Sequence, residues 1–225
     1  MISKVFSAAV SQIRNRPFVI DQSISDSDLI GLSIQHGIGL LRGLVRLRRG
    51  VSLGKSVRIH GKHRLRLDSG VTIGDHVVLN AIGREELSIG RSSSVGAFSV
   101  LKVSGSLADL GKGIRIGRNV GIGEFAHVGG AGGVEIGDDT IIGPYFSSHP
   151  ENHVFSASNV AIREQGLTRK GIRVGKGCWI GAKVTLLDGS EVGDYCVVAA
   201  GAVVKDIFPS NCVIGGIPAR IIRQK

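Results

Sequence analysis

Three side chains able to move a proton or bind a cation fall within five residues, His149-Pro-Glu151-Asn-His153. A neutral imidazole, with an ordinary pKa of about 6.5, can take a proton from a hydroxyl at neutral pH. Such general-base help contributes roughly 10²–10⁴-fold to a rate. Glu151 could orient a histidine and His153 could contact the molecule being deprotonated; a purely structural part in a loop is equally open for both. With His127 added, the three histidines also form a valid catalytic zinc set, leaving one position open. Cysteine chemistry has less support. Cys178, Cys196 and Cys212 are odd in number and lack CxxC spacing, so neither a disulfide framework nor a zinc knuckle follows, and reduced thiols are expected.

The residues that must hold this segment are periodic. From Val174 the apolar residues Val174, Ile180, Leu186, Val192, Val198 and Val204 recur every six positions. The same beat runs through Leu53/Ile59/Leu65, Ile89/Val95/Leu101/Leu107, Ile116/Ile122/Val128 and Ile136/Ile142. Six fits neither the helical period of 3.6 nor the strand period of 2. It fits a triangular coil in which each hexapeptide makes one face, a branched residue points inward and a small residue fills the corner. Three faces close a coil of 18 residues, and coils stack as parallel strands about 4.7–4.9 Å apart. Cys178 and Cys196, 18 apart, are then expected one above the other as buried corner fillers, like Val184 and Ala202. Neither thiol has the exposed, electropositive setting that a nucleophile needs. His127 precedes the inward Val128 and is expected to face outward. His36, His60, His63 and His76 belong to no motif and are expected on the surface.

The beat is interrupted. It slips by two residues at Gly129–Gly133, and the 32 residues from Ile142 to Val174 are not a multiple of six. The polar interval predicts an extruded loop over 143–171, and loops of that length in a compact repeat are usually functional. The first 50 residues lack the beat altogether. Ile2, Val5, Phe6, Ala9 and Ile13 have helical spacing up to Pro17. A second helix is predicted from about Asp26 to Arg48, with Ser25-x-x-Asp28 as a capping box and Gly39-x-x-x-Gly43 allowing a close approach. The predicted divisions are a helical N-terminal cap or membrane-interface segment at 1–50, a β-helix at 51–208 and a tail at 209–225.

Composition narrows the partners. Glycine reaches 34 residues while aromatics make up 4 %, which suits many tight turns between short β-branched strands. A net charge of +10 favours anionic partners. Nucleic acid is set aside, for want of zinc-finger spacing, an RNP-like run or a stacking platform. Arg42–Arg66 holds nine Arg/Lys and no acid. That run suits a helical cap over the open end of the solenoid, and equally contact with an anionic membrane. Leu29–Leu41, at 13 residues, is too short to span a bilayer, and Lys4, Arg14 and Arg16 interrupt any signal-peptide core. A cytoplasmic location is expected, with room for peripheral contact at the inner face of the membrane.

These motifs together resemble the bacterial hexapeptide-repeat acyltransferases, in the branch of galactoside, maltose and polysaccharide O-acetyltransferases. The resemblance rests on the hexads, His149-Pro-Glu-Asn-His153, Gly177-Cys-Trp-Ile-Gly-Ala182, Ala200-Gly-Ala-Val-Val-Lys-Asp206 and Ile214-Gly-Gly-Ile-Pro-Ala-Arg220, and covers about residues 51–223. It implies an all-β fold, a left-handed parallel β-helix with a short helical N-terminal segment, assembled as a homotrimer with active sites between subunits. It also implies acetyl-CoA as acyl donor, no metal, and a small-molecule or glycan acceptor, a sugar or a surface polysaccharide or lipid-linked oligosaccharide. His149 matches the general base. Ala182, Ala200 and Ala202 match the positions along which CoA lies, and Lys205, Arg220 and Arg223 those that meet its phosphates. Ala182 stands where the sugar acetyltransferases often carry a serine, leaving its backbone N–H as the donor to the developing oxyanion. The alternatives are a serine or sugar-nucleotide N-acyltransferase, a γ-type carbonic anhydrase with zinc on His127, His149 and His153, and an inert scaffold.

Overall fold

The computed structural model describes Ser7 and residues 19–21 and 23–225; the helical spacing over Ile2–Ile13 lies outside the described residues. A long helix, α1 (Asp26–Leu47), precedes the strands. Ser25 is its N-cap, accepting from the Asp28 N–H at 3.1 Å, while its hydroxyl donates to the Asp28 carboxylate at 2.6 Å. Arg48 ends it in the left-handed conformation. Among the described residues no helix is long and apolar enough to cross a membrane.

From Ser52 the chain winds as a left-handed parallel β-helix, visiting three faces in turn. The second and third faces each stack seven strands. Apart from the last pair of the first face, neighbouring strands on every face are parallel, as in Thr72–Ile73 beside Ser94–Val95 and Arg58–His60 beside Val78–Asn80. Each strand is two or three residues long over most of the solenoid because a hexapeptide leaves no more once the corner is turned. The beat residues line the interior, with Leu53, Leu101, Ile180 and Leu186 wholly buried. Cys178, Cys196 and Cys212 fill one corner column and are free and buried. Burial pushes the Cys178 and Cys212 thiols up to about 11, which removes them as nucleophiles at neutral pH.

Both ends of the stack are closed. At the far end Cys212–Gly216 pairs antiparallel with Ala219–Gln224. At the near end α1 lies across the first coil with Gly39 and Gly43 against it. A Cβ on Gly43 would sit 1.9 Å from the Val51 carbonyl oxygen, so only glycine permits that approach. Arg46 and Arg49 then donate to the edge carbonyls of Val57 and Leu67 at 2.9 and 3.2 Å. These carbonyls have no further coil to accept from, and the arginines supply the missing donors.

Two expectations about the beat are corrected. Leu107, read as part of it, is 78 % exposed, because residues 103–113 swing out between Val100–Lys102 and Ile114–Ile116. The predicted loop at 143–171 is also shorter. The Gly143 N–H donates to the Ile180 carbonyl and Ser147–His149 is a coil strand, so the excursion begins at Pro150.

Candidate functional site

His149 is the last residue of its strand on the second face, where the chain leaves the coil. Its side chain is exposed on the outer surface, in register with Leu187 of the next coil. In the coil below, His127 stacks on it, with ring centroids 5.9 Å apart and planes at 17°. Lost hydration lowers the His127 pKa first, and the nearby His149 and Lys102 lower it further. Gly129 faces Lys102 of the coil below. A Cβ there would stand 3.0 Å from the Ser148 carbonyl oxygen and 3.3 Å from the Pro150 ring, so the bare glycine leaves room for the chain to turn outward beside His149. Along the same strand, the Ser147 and Thr185 hydroxyls share a hydrogen bond of 3.0 Å.

The loop is built on its own supports. Asn152–His153 pairs antiparallel with Leu167–Thr168. The Gln165 amide ties the tip, accepting from the Ala157 N–H and donating to the carbonyls of Ala157 and Val160. Where the loop returns, buried Asp188 accepts from the N–H groups of Lys170 and Gly171 at 2.8 and 2.9 Å. At its base Arg169, with a side chain only 20 % exposed, pairs with Glu151 at 3.1 Å and with Asp109 at 2.9 Å. Asp109 is also held by Arg84 at 3.0 Å. Three excursions at this corner, 81–86, 103–113 and 150–171, are thus clamped by one chain of ion pairs.

This arrangement changes the reading of Glu151. Its carboxylate turns to Arg169, so it anchors the loop and does not orient His149. His153 is exposed in the short hairpin, bordering a shallow groove with Phe155, Ile162 and Thr168. Among the described residues no group of three or more His, Cys, Asp and Glu side chains comes together as a metal site. Arg169 and Asp188 escaped the sequence reading. Asp188 had a usable signal, the Asp188-Gly189 turn dipeptide two residues after the beat residue Leu186.

The matched CoA positions separate into three groups. Ala182 and Ala200 stack at the corner between the first and second faces, where the Gly201 N–H donates to the Ala182 carbonyl. Ala202 is the buried corner filler its spacing predicts, which corrects the contact with CoA that the resemblance implies. Its side chain is 1 % exposed and packs inside the corner column above Val184, because the corner position points into the coil. It has no side-chain surface to offer a ligand. Lys205 and Arg220 meet at Asp206, at 3.0 and 3.2 Å. Arg223 is exposed on the closing hairpin, paired in register with Val213. Lys205 follows the strand paired with Thr185–Leu186, which places it two coils from His149 on the same face, on the order of 10 Å along the axis. Ala182, in contrast, lies at the opposite edge of that face from His149, again on the order of 10 Å away.

The same corner carries a feature that no motif announced. His76, Phe98, Phe125 and Tyr145 stack in successive coils with centroids 5.0, 5.2 and 5.0 Å apart and planes within 7°. Each occupies the left-handed corner position. The signal was present as a repeated Gly-x-aromatic, at Gly74-Asp-His, Gly96-Ala-Phe, Gly123-Glu-Phe and Gly143-Pro-Tyr.

Residues 171–206 match the family described as Bacterial transferase hexapeptide (six repeats). The chain is 32 % identical over 47 % of its length to WbbJ of Escherichia coli, assigned as a lipopolysaccharide biosynthesis O-acetyl transferase, and covers 58 % of that protein. It is 33 % identical over 40 % of its length to the galactoside O-acetyltransferase of the same organism, covering 44 % of it. The chain therefore spans about half the length of the curated relatives it matches. Among solved structures, the Bacillus cereus N-acyltransferase AntD, in complex with dTDP-4-amino-4,6-dideoxyglucose and coenzyme A, superposes with a TM-score of 0.54. The match covers 90 % of both chains at 18 % identity, a likeness of fold.

Proposed function

For this member of the hexapeptide-repeat transferases, we propose acetyl transfer from acetyl-CoA to a hydroxyl of a sugar or bacterial surface glycan, with His149 as general base. The observation that carries the reading is the placement of His149. It is an exposed imidazole at the point where the coil opens, beside a loop anchored through Arg169 and Asp188. The relatives assigned to O-acetyl transfer support a hydroxyl acceptor over an amine.

The chemistry asked of this chain is modest. Acetyl-CoA supplies an activated thioester carbon when bound. His149 Nε2 or Nδ1 takes the acceptor hydroxyl proton as that oxygen attacks, and the imidazolium then returns a proton to the departing sulfur. An N–H aimed at the developing oxyanion completes the set, and Ala182 is the candidate.

The residues present fit the donor in part. Ala182, Ala200 and Gly201 leave a smooth corner, and a Cβ on Gly201 would meet nothing within 4 Å. Lys205, Arg220 and Arg223 would hold the phosphates, with Asp206 partly neutralising the first two. Within one chain His149 and Ala182 stand at opposite edges of the second face. Base and amide can serve one reaction only if neighbouring copies bring these edges together, and this supports the homotrimer. Ile141 and Trp179, adjacent on the first face and 61 % and 59 % exposed, offer such a copy an apolar contact.

The test is acetyl-CoA thiol release with galactosides, extracted surface polysaccharide, amino-sugar nucleotides and serine, followed by alkaline treatment of the product. A hydroxyl acceptor giving a base-labile ester, lost in His149→Ala, is expected. A base-stable amide would replace the reading with N-acyl transfer, and full activity in His149→Ala would remove the proposed base.

A further inference from the structure

The outer side of α1 is apolar where a surface helix is usually polar. At about 100° per residue, Ile30, Ile34, Ile38, Leu41, Leu44 and Val45 fall within an arc of about 120°, opposite the glycines that touch the coil. All six are exposed, from 44 % at Ile38 to 73 % at Val45. Between Ile30 and Val45 no charged residue lies within that arc, and Asp26, in the first turn, falls on its edge: Arg42 and Arg46 lie on one flank and donate to edge carbonyls of the first coil. The cap itself requires none of the six, since its buried contacts come from Leu29, Gly39 and Gly43.

The surroundings indicate what covers this stripe. Arg48, Lys55 and Arg58 are exposed at the same end of the solenoid, and none pairs with an acidic side chain among the described residues, whereas Lys62 donates to the Arg46 carbonyl at the end of α1. An apolar stripe rimmed by unpaired cations matches a surface with an anionic outer layer and an apolar layer beneath it. We propose that α1 docks the near end of the solenoid on an anionic lipid bilayer, with the stripe in the headgroup and acyl boundary and these three cations at the lipid phosphates. The basic run from Arg42 to Arg66 is therefore divided in its work. Arg42, Arg46 and Arg49 close the coil, and the exposed cations of the first coil supply the attraction. Docking by this end lays the helix in the membrane plane and carries the His149 loop, several coils away, clear of it. The proposal does not depend on which acceptor the loop serves.

The test is co-sedimentation of the full chain with vesicles of phosphatidylcholine alone or mixed with phosphatidylglycerol. The expected result is pelleting with the anionic vesicles, reduced by added salt. Ile34→Asp combined with Leu41→Asp is expected to weaken pelleting by at least about tenfold with an unchanged thermal midpoint, since both side chains point away from the coil. Lys55→Glu with Arg58→Glu, off the helix, is expected to abolish the preference for anionic vesicles. Wild-type protein left in the supernatant with both vesicles would overturn the proposal, as would stripe variants that pellet normally. A lower mass by light scattering in the stripe variant would overturn it in favour of contact between copies. A lowered thermal midpoint would overturn it in favour of cover by the chain's own residues.

Discussion

The two corners that bound the second face are made by the same winding and have opposite characters. The corner between the first and second faces turns in four residues in every coil, as in Gly74–Val77, Gly123–Ala126 and Gly143–Phe146. It stacks an aromatic ladder outside and packs a column including Ala126, Phe146 and Val184 inside. The corner between the second and third faces turns tightly at Asp188–Ser190 but swings out at 103–113 and 150–171. There the outer excursions are held by ion pairs and single hydrogen bonds, and His149 stands at their base. A coil needs only some of its corners in register to propagate its strands. The regular corner supplies that register, leaving the other free to carry loops of any length.

The largest expected effect separates chemistry from stability at the irregular corner. His149→Ala is expected to lower kcat/KM by about 10²–10⁴-fold in thiol release while the thermal midpoint stays put, because the ring is exposed. Phe146→Ala should do the reverse at the regular corner. Its side chain is 1 % exposed, and its loss is expected to cost about 3–5 kcal/mol in urea unfolding, with activity kept in the folded fraction. Arg169→Ala releases Glu151 and Asp109 at once. Faster protease nicking between Val154 and Leu167 and roughly tenfold lower kcat are expected, with a global stability change below about 1 kcal/mol. Unaltered nicking would show that the loop does not need this clamp. Phe125→Ala interrupts the ladder and is expected to cost about 0.5–1.5 kcal/mol without touching activity.

The smallest expected effect is a pH slope. The folded protein holds the His127 pKa below its ordinary value. Below about pH 6.5 the unfolded chain therefore binds the proton more readily, and stability falls as pH drops from there toward the folded pKa. Above that window the contribution is constant. Urea midpoints measured across it should show a shallower acid slope in His127→Asn than in the wild type.

Much of the interior was legible because a coil repeats its environment every turn. Val174, Ile180 and Leu186 read as inward from spacing alone, and the Cys178–Cys196 stacking followed from their separation of 18. Ser25 and Asp28 announced the start of α1 for a similarly local reason, since a cap is made within three residues. Leu107 misled because an apolar residue fell on the beat by coincidence while its loop left the coil. Glu151 stayed open between orienting a histidine and holding the loop because nearness in sequence to His149 says nothing about a partner 18 residues on.

The sequence by itself determined the period, and with it the triangular coil, the buried thiols and the place where the beat gives way to His149. Each of these depends on neighbours a fixed number of residues apart. Tertiary structure decided what the irregular segments touch: Arg169 between Glu151 and Asp109, Asp188 under the returning loop, and Arg46 and Arg49 on the open edge. Those contacts join residues at separations that follow no period, so they became visible only once the coils were stacked.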